Sequence, residues 1–440
     1  MLDIKLLRET PDVVRADLRK RGRDPAVVDE VVGLDAQWRE GLKRVEHLRA
    51  ERNKSGKLIA DAKKAGQDPK AVLDRMAQVA AEMKSLEAEV PEAERRRDAL
   101  LRSIPNVMHP SVPVGKDDTE NVEVRRWGQA KPLPFPGVSH VDLLSSLDLA
   151  DLERAARAAG ARFYYAKGDL VLLGRALEFF ALTRLASKGF TAIEPPYMLR
   201  REAMEGAVDL ADFESVIYKV EAEAKEPPLY LIATSEHPIA AMHMGEILES
   251  ARLPLRYAGV SPCFRKEAGA HGKDTKGIFR VHQFSKVEQF VFCAPQDSWA
   301  IHEELVRNAE ALFQELGIPH RVVNICTGDL GSIAAKKYDI EAWMPVQGAF
   351  REVVSCSNCT DFQARRYNTR SRANPGDPTE FVHTLNSTAI AVQRTLVAIL
   401  ENFQQADGSV LVPKALQPYV GKERLEPTGK REPMRSAPPG

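Results

Sequence analysis

Cysteine is scarce in this chain: five in 440 residues, at positions 263, 293, 326, 356 and 359. So thin and odd-numbered a set excludes a disulfide scaffold and favours a reducing compartment. Net charge is absent too, with 62 basic and 62 acidic residues, so any nucleic-acid contact must come from local patches. No run reaches 18 apolar residues, which argues against a membrane-spanning helix. The opening Met1-Leu-Asp-Ile-Lys-Leu-Leu-Arg8 lacks the apolar stretch and cleavage site of a secretory signal. A soluble cytoplasmic protein with no membrane partner is the expectation. Neither G-x-G-x-x-G nor a Walker A sequence occurs, so the usual helix-terminus nucleotide sites are missing. Side chains must hold any nucleotide.

Two neighbouring strings offer such side chains. Ser261-Pro-Cys-Phe-Arg-Lys-Glu267 and Arg280-Val-His-Gln-Phe284 set two arginines fifteen positions apart, with a carboxylate near the first and a Gly-rich polar connection between them. A planar guanidinium can clamp phosphate oxygens in pairs. Taken alone, either arginine is more often a helix cap or a bridge between two acids.

The first hundred residues are a different material. Val31, Leu34, Trp38, Leu42, Val45 and Leu48 step by three and four, and so do Val72, Met76, Val79, Met83, Leu86 and Val90. Each stripe is too narrow for a globular core and suits a two-helix seam. Gly66-Gln-Asp-Pro69 reads as the turn between them, which predicts an antiparallel arm of about 45 to 55 Å. Pro91 bends the second helix at most mildly and Pro105 ends it, while the first 25 residues pack as a short helical base. Lys43, Arg44, Arg49, Arg52, Lys54, Lys57, Lys63 and Lys64 outnumber the acids along one stretch of the arm. They are either an ordinary solvated face or a reader of RNA phosphates and shape.

Residues 106 to 130, rich in proline and charge, read as a linker. Beyond them helices over Asp151–Ala161 and Leu177–Lys188 alternate with strands over Phe163–Tyr165, Thr191–Ile193, Tyr230–Ile232, Leu255–Tyr257, Phe279–Phe284, Gln289–Cys293, Arg321–Asn324, Tyr338–Trp343 and Phe350–Ser355. Polar residues at alternate positions predict an α+β fold, an antiparallel sheet flanked by helices, over a doubly wound parallel one.

Longer motifs carry a resemblance. Gly189-Phe-Thr-Ala-Ile-Glu-Pro-Pro196, Cys263-Phe-Arg-Lys-Glu267 with Arg280-Val-His-Gln-Phe-Ser-Lys-Val-Glu288, and Thr384-Leu-Asn-Ser-Thr-Ala-Ile-Ala-Val-Gln-Arg394 resemble motifs 1, 2 and 3 of the class II aminoacyl-tRNA synthetases. Thr234-Ser-Glu236 and the segment Phe350-Arg-Glu-Val-Val-Ser-Cys-Ser-Asn-Cys-Thr-Asp-Phe-Gln-Ala-Arg-Arg366 resemble the seryl-tRNA synthetases in particular. That resemblance spans essentially the whole chain. It implies an N-terminal tRNA-binding domain (1–105) carrying a helical hairpin arm (about 27–104), a linker (106–130), a catalytic domain (131–427) and a disordered tail (428–440). The implied enzyme is a cytoplasmic homodimer that adenylates L-serine with ATP and Mg2+. It then charges tRNA(Ser), and also tRNA(Sec) where present, reading the long variable arm of the tRNA with the coiled coil.

Site roles follow from the same resemblance. Arg265 would meet the α-phosphate and the serine carboxylate, Arg280 and Arg394 the triphosphate, Glu267 the adenine amino group and Phe284 the adenine face. Arg265, Arg280 and Arg394 would be the catalytic set. Glu352 and Ser355 would hold magnesium and border ATP. Glu288, with Thr234 near it, would face the serine ammonium, Glu236 would also bind serine, and Asn386 and Thr388 would meet the hydroxyl side, where unpaired polar groups would penalise alanine. On the arm, Lys43, Arg44, Arg49, Arg52, Lys54 and Lys57 would contact tRNA. His271 and His282 read as structural.

Two features depart from the pattern. Ser387-Thr388-Ala389 stands where the family commonly has glycines, altering backbone freedom. Cys356-Ser-Asn-Cys359 looks like half a zinc knuckle with no second half, so no zinc is expected. A non-enzymatic scaffold would be expected to have lost an adenylation residue, and a homologue charging a carrier protein would be expected to lack the arm. Both the residues and the arm pattern are present.

Overall fold

The computed structural model describes residues 1–65, 68–209, 213–221, 223, 226–267 and 276–427. The expected turn at Gly66 and Gln67, the Lys63 side chain, the connection 268–275 with His271, and the tail from 428 lie outside the described residues. Residues 1–107 and 108–440 form two compact units.

In the first unit, α1 (Ile4–Glu9) starts where the Asp3 side chain accepts from the Lys5 amide, and α2 (Pro11–Lys20) starts on proline, whose missing N–H costs nothing there. Two long helices follow, α3 (Ala26–Lys64) and α4 (Lys70–Ser103), of 39 and 34 residues. Their contacts run in opposite order: Glu30 meets Arg96, Arg44 meets Glu82, and Glu51 meets Arg75. The hairpin is therefore antiparallel. Leu48, Val79 and Met83 form the middle of its seam, with Met76 and Leu86 against them. Pro91 lies inside α4 without ending it.

Leu42, expected in the stripe, is exposed, and Gly41 takes the seam position instead. A Cβ on Gly41 would stand 2.5 Å from Val90 Cγ2, so the bare α-carbon is what lets the helices close there. At the base, the wholly buried Asp35 receives Arg8 on both carboxylate oxygens at 2.7 Å, with Arg39 at 2.9 Å and Arg97 at 3.5 Å. Burial works to raise the Asp35 pKa, but the hydrogen bonds from Arg8 and Arg39 outweigh it and hold the group below the usual carboxylate range.

The second unit is built on one sheet of eight strands: β1 (Val122–Trp127), β2 (Thr191–Ile193), β3 (Leu255–Phe264), β4 (Gln283–Cys293), β5 (His320–Asn324), β6 (Lys336–Met344), β7 (Ala349–Asn358) and β8 (His383–Ala391). Their spatial order is β1-β5-β6-β7-β8-β4-β3-β2. Every neighbouring pair is antiparallel except β2 with β3. One face is covered by α5 (Asp169–Ala186), α6 (Ser298–Leu316) and α7 (Val392–Phe403), whose Leu177, Phe180, Leu305, Phe313, Leu396 and Ile399 pack on Val287, Val291, Ile340 and Leu385. The expected α+β architecture is the one observed.

Details differ. Val122–Trp127, inside the stretch read as a linker, is the edge strand of the main sheet. It is exposed along most of its length, so it has no apolar face to announce it. The strand expected over Phe279–Phe284 begins only at Gln283. Phe279 and Val281 are buried through loop packing rather than pleating. The strands expected near Phe163 and Tyr230 exist as Tyr165–Ala166 and Leu229–Leu231, but in small separate sheets.

Candidate active site

On the sheet face away from those three helices lies a cavity of about 430 Å³. Alternation in β4 aims Phe284, Lys286 and Glu288 into it, while Val287 and Val291 go to the helices. Two register slips supply the rest. Ile340 faces Val354 but Glu341 faces Glu352, so Val353 is an extra residue in β7. Glu352 and Ser355, three apart and of opposite parity, therefore both reach the cavity. In β8, Val287 faces Ile390 but Glu288 faces Thr388, which makes Ala389 the extra residue. Ser387, Thr388 and Ala389 all keep negative φ, so this backbone path needs no glycine.

All twelve candidates in this unit, Thr234, Glu236, Arg265, Glu267, Arg280, Phe284, Glu288, Glu352, Ser355, Asn386, Thr388 and Arg394, line that one cavity. One group is acidic. Glu288, 1% exposed, is paired with Lys286 and accepts from the Thr388 hydroxyl at 3.4 Å. Burial pushes the Glu288 carboxyl up against the opposing pull of Lys286. Glu236 opens a short helix (Glu236–Ala241) and accepts from Gln363 Nε2 at 2.8 Å, and Gln363 accepts from the Thr384 hydroxyl at 2.7 Å. Burial first, and the neighbouring Glu288 second, push Glu236 up to about 7.

A second group is cationic. Arg265 follows β3, with its guanidinium 5.2 Å from the Phe284 ring centre. Arg280 donates to Glu267 at 2.8 Å. Arg394, on the first turn of α7, donates to the Glu352 carbonyl oxygen at 3.0 Å. The protein around Glu352 works to raise its pKa, but Arg394, then Lys337 and Arg265, hold it below the usual range. Opposite Ser355, the buried Asp339 is pushed up, by burial above all, and its Oδ1 has no hydrogen-bond partner among the described residues. Glu352 and Ser355, both lining the cavity, offer oxygen donors of the kind a hard divalent cation takes.

Other expected residues fall as follows. His282 bonds the Arg265 carbonyl oxygen through Nδ1 at 2.9 Å and packs on Phe163, a holding role for the loop carrying Arg265. Cys356 and Cys359 are buried, and burial pushes both thiols up. In the arm, Lys43, Arg49, Arg52, Lys54 and Lys57 are exposed, as is Arg44, which is tied across the seam to Glu82 at 2.5 and 2.9 Å. Sequence reasoning passed over Lys286, Gln363 and Phe279, the last lying under both Arg351 and Arg394. Lys286 sits two positions before Glu288 in one strand, and period-two spacing could have found it.

The chain matches the tRNA synthetase class II core domain (G, H, P, S and T) over residues 218–403 and the Seryl-tRNA synthetase N-terminal domain over residues 1–108. It is 52% identical to the serine–tRNA ligase of Thermococcus sibiricus, across 98% of this chain and 99% of that protein. The crystal structure of seryl-tRNA synthetase from Pyrococcus horikoshii complexed with ATP superposes with a TM-score of 0.93 at 53% identity, covering 97% of this chain and all of the other. The cytoplasmic serine–tRNA ligase of Naegleria fowleri in complex with AMP gives 0.88 at 37% identity, over 97% and 99% of the two chains. With the antiparallel core, the helical hairpin and the cavity residues in place, the chain belongs to the seryl-tRNA synthetase family of class II aminoacyl-tRNA synthetases.

Proposed function

We propose that the cavity carries out both steps of serine transfer to tRNA(Ser), with serine at its buried carboxylates and ATP across its arginines. The observation that carries this is their juxtaposition: Glu288, Glu236 and Thr388 share one cavity with Arg265, Arg280 and Arg394. In the first step a serine carboxylate oxygen attacks the α-phosphorus, the bond to the β-phosphate breaks, and pyrophosphate leaves with the electron pair. Both reactants are anions, so the step asks for alignment and positive charge rather than a protein base.

Arg265 clamps the α-phosphate and the serine carboxylate, and Phe284 stacks on adenine, with Glu267 at the adenine amino group. Arg280, paired with Glu267 at 2.8 Å, turns to the triphosphate, and Arg394 takes its far end. Glu288 and Glu236, with Thr234, receive the ammonium, and Thr388 with Asn386 meets the hydroxyl. Glu352 and Ser355 would hold magnesium, which supplies charge neutralisation on the phosphates. In the second step the terminal ribose hydroxyl attacks the seryl carbonyl carbon, and the departing adenylate phosphate takes its proton.

The exposed Lys43, Arg49, Arg52, Lys54 and Lys57 of the arm, with Arg44, read the phosphates of the long variable arm of tRNA(Ser), and of tRNA(Sec) where present. The working form is a cytoplasmic homodimer. Among the described residues no helix is long and apolar enough to cross a membrane. Serine-dependent ATP–pyrophosphate exchange, with alanine, threonine and glycine as controls, tests the reading. Exchange with serine alone is expected, and its absence would overturn the assignment.

A further inference from the structure

Lys286 is an unusual presence in a cavity that must receive an ammonium ion. It is 6% exposed, lies on the same strand face as Glu288, and its ammonium is paired with the carboxylate offered to the substrate. At first sight it competes with serine. The oxygens resolve this. Lys286 and the Thr388 hydroxyl both reach Oε2, and among the described residues no hydrogen bond is found at Oε1. A carboxylate held twice through one oxygen has its rotation restricted, which leaves the other oxygen for a donor in the cavity that Glu288 lines.

We propose that Lys286 is a positioning residue for the amino acid: by anchoring Oε2 of Glu288 together with Thr388, it presents Oε1, charged and oriented, to the serine ammonium. A carboxylate this deeply buried would not stay ionised without a cationic partner. Lys286 supplies that partner before substrate arrives, and the compact point charge of an ammonium can share a carboxylate that a forked guanidinium would occupy on both oxygens. Arg265 and Glu236 are the other charges felt at Glu288 and its neighbour, and neither is in contact with Oε2. The same contact ties the ammonium site to the hydroxyl site, since Thr388 is anchored on the oxygen that Lys286 holds.

This rests on the adenylation reading above, so the test reads both. Serine-dependent pyrophosphate exchange is measured for wild type, Lys286→Met, Lys286→Arg, Glu288→Gln and the double variant Lys286→Met/Glu288→Gln, with thermal melting alongside. Lys286→Met should raise KM for serine about tenfold or more while KM for ATP stays within about twofold, the size expected for one charge-assisted contact. Lys286→Arg should recover part of the loss. In the Glu288→Gln background, removing Lys286 should add nothing, because its effect runs through Glu288. An unchanged serine KM in Lys286→Met overturns the proposal alone. So does an equal rise in ATP KM with a lowered melting point, which marks a packing role, or a full further loss in the double variant, which marks direct substrate contact. Wild-type enzyme without serine-dependent exchange overturns the site reading and this proposal with it.

Discussion

Arg394 holds Glu352 at two points, donating to its carbonyl oxygen at 3.0 Å and lying 3.2 Å from its carboxylate, with the Phe279 ring centre 5.2 Å from the guanidinium. A side chain from α7 is thereby fixed against β7 before any phosphate arrives. Arg394→Ala should lower the exchange rate about 100-fold, the scale of losing one preorganised charge donor. Arg394→Lys should recover little, since an ammonium cannot make the forked contact. Exchange rates at saturating ATP decide it, and near-wild-type turnover in Arg394→Ala would sink the role.

Glu236 is pushed up to about 7, by burial first and by Glu288 second. An acid with a raised pKa is neutral below that value and anionic above it. In the proposed reading the serine ammonium meets this anion, so kcat/KM for serine should fall as pH is lowered through about 7. Glu236→Gln should be weaker at pH 8 and should lack this acid limb. The same limb surviving in Glu236→Gln would assign the titration elsewhere.

Asp35 carries the opposite sign. Its folded pKa lies below the ordinary value, so its contribution to stability is complete above the unfolded pKa and disappears as pH falls through the folded one. Asp35→Asn leaves Arg8, Arg39 and Arg97 without their shared anion and should cost about 3 kcal/mol. Loss of helical circular dichroism in the full chain should come earlier on heating at pH 7, and the gap from wild type should narrow in strong acid. An equal gap at both pH values would count against the mechanism.

Gly206 lies on the helix Arg201–Ala207, where a Cβ would stand 2.1 Å from the Tyr367 ring. Tyr367 is buried and donates to the Ala203 carbonyl oxygen at 2.6 Å, so the ring cannot simply swing away. Gly206→Ala should destabilise by about 1–3 kcal/mol through overpacking, despite the better helix propensity of alanine. A melting point at or above wild type would refute the clash.

Lys54 and Lys57 are exposed on α3. Replacing both with glutamine should weaken tRNA charging, most at low salt and less as salt rises, and leave serine-dependent exchange within about twofold, since phosphate contacts give affinity rather than chemistry. A matching loss of exchange would count against the arm as the RNA reader.

Most residues lining the cavity were legible because they sit in long motifs whose residue types suit phosphate, ammonium and adenine. Lys286 was not, because a lysine beside a glutamate in a strand looks like a surface pair until burial is known. The edge strand Val122–Trp127 hid for the reverse reason: Val-Glu-Val-Arg-Arg-Trp is exposed almost throughout, so no face is selected for the core and its charges look like those of a linker. The seam of the arm was readable in its period but not in its closest approach. A glycine adds nothing to an apolar count, yet Gly41 sets the spacing at Val90.

The surplus residues Val353 and Ala389 act on their strands as a phase slip acts on a wave. On one side of each slip the odd positions feel the substrate; on the other the even ones do. A saturation-mutagenesis map of β7 and β8 should show tolerance alternating with period two and jumping by one step at these two positions. Deleting either residue would exchange chemistry for core along half a strand, so the length of these strands is as much a part of the enzyme as the side chains they carry.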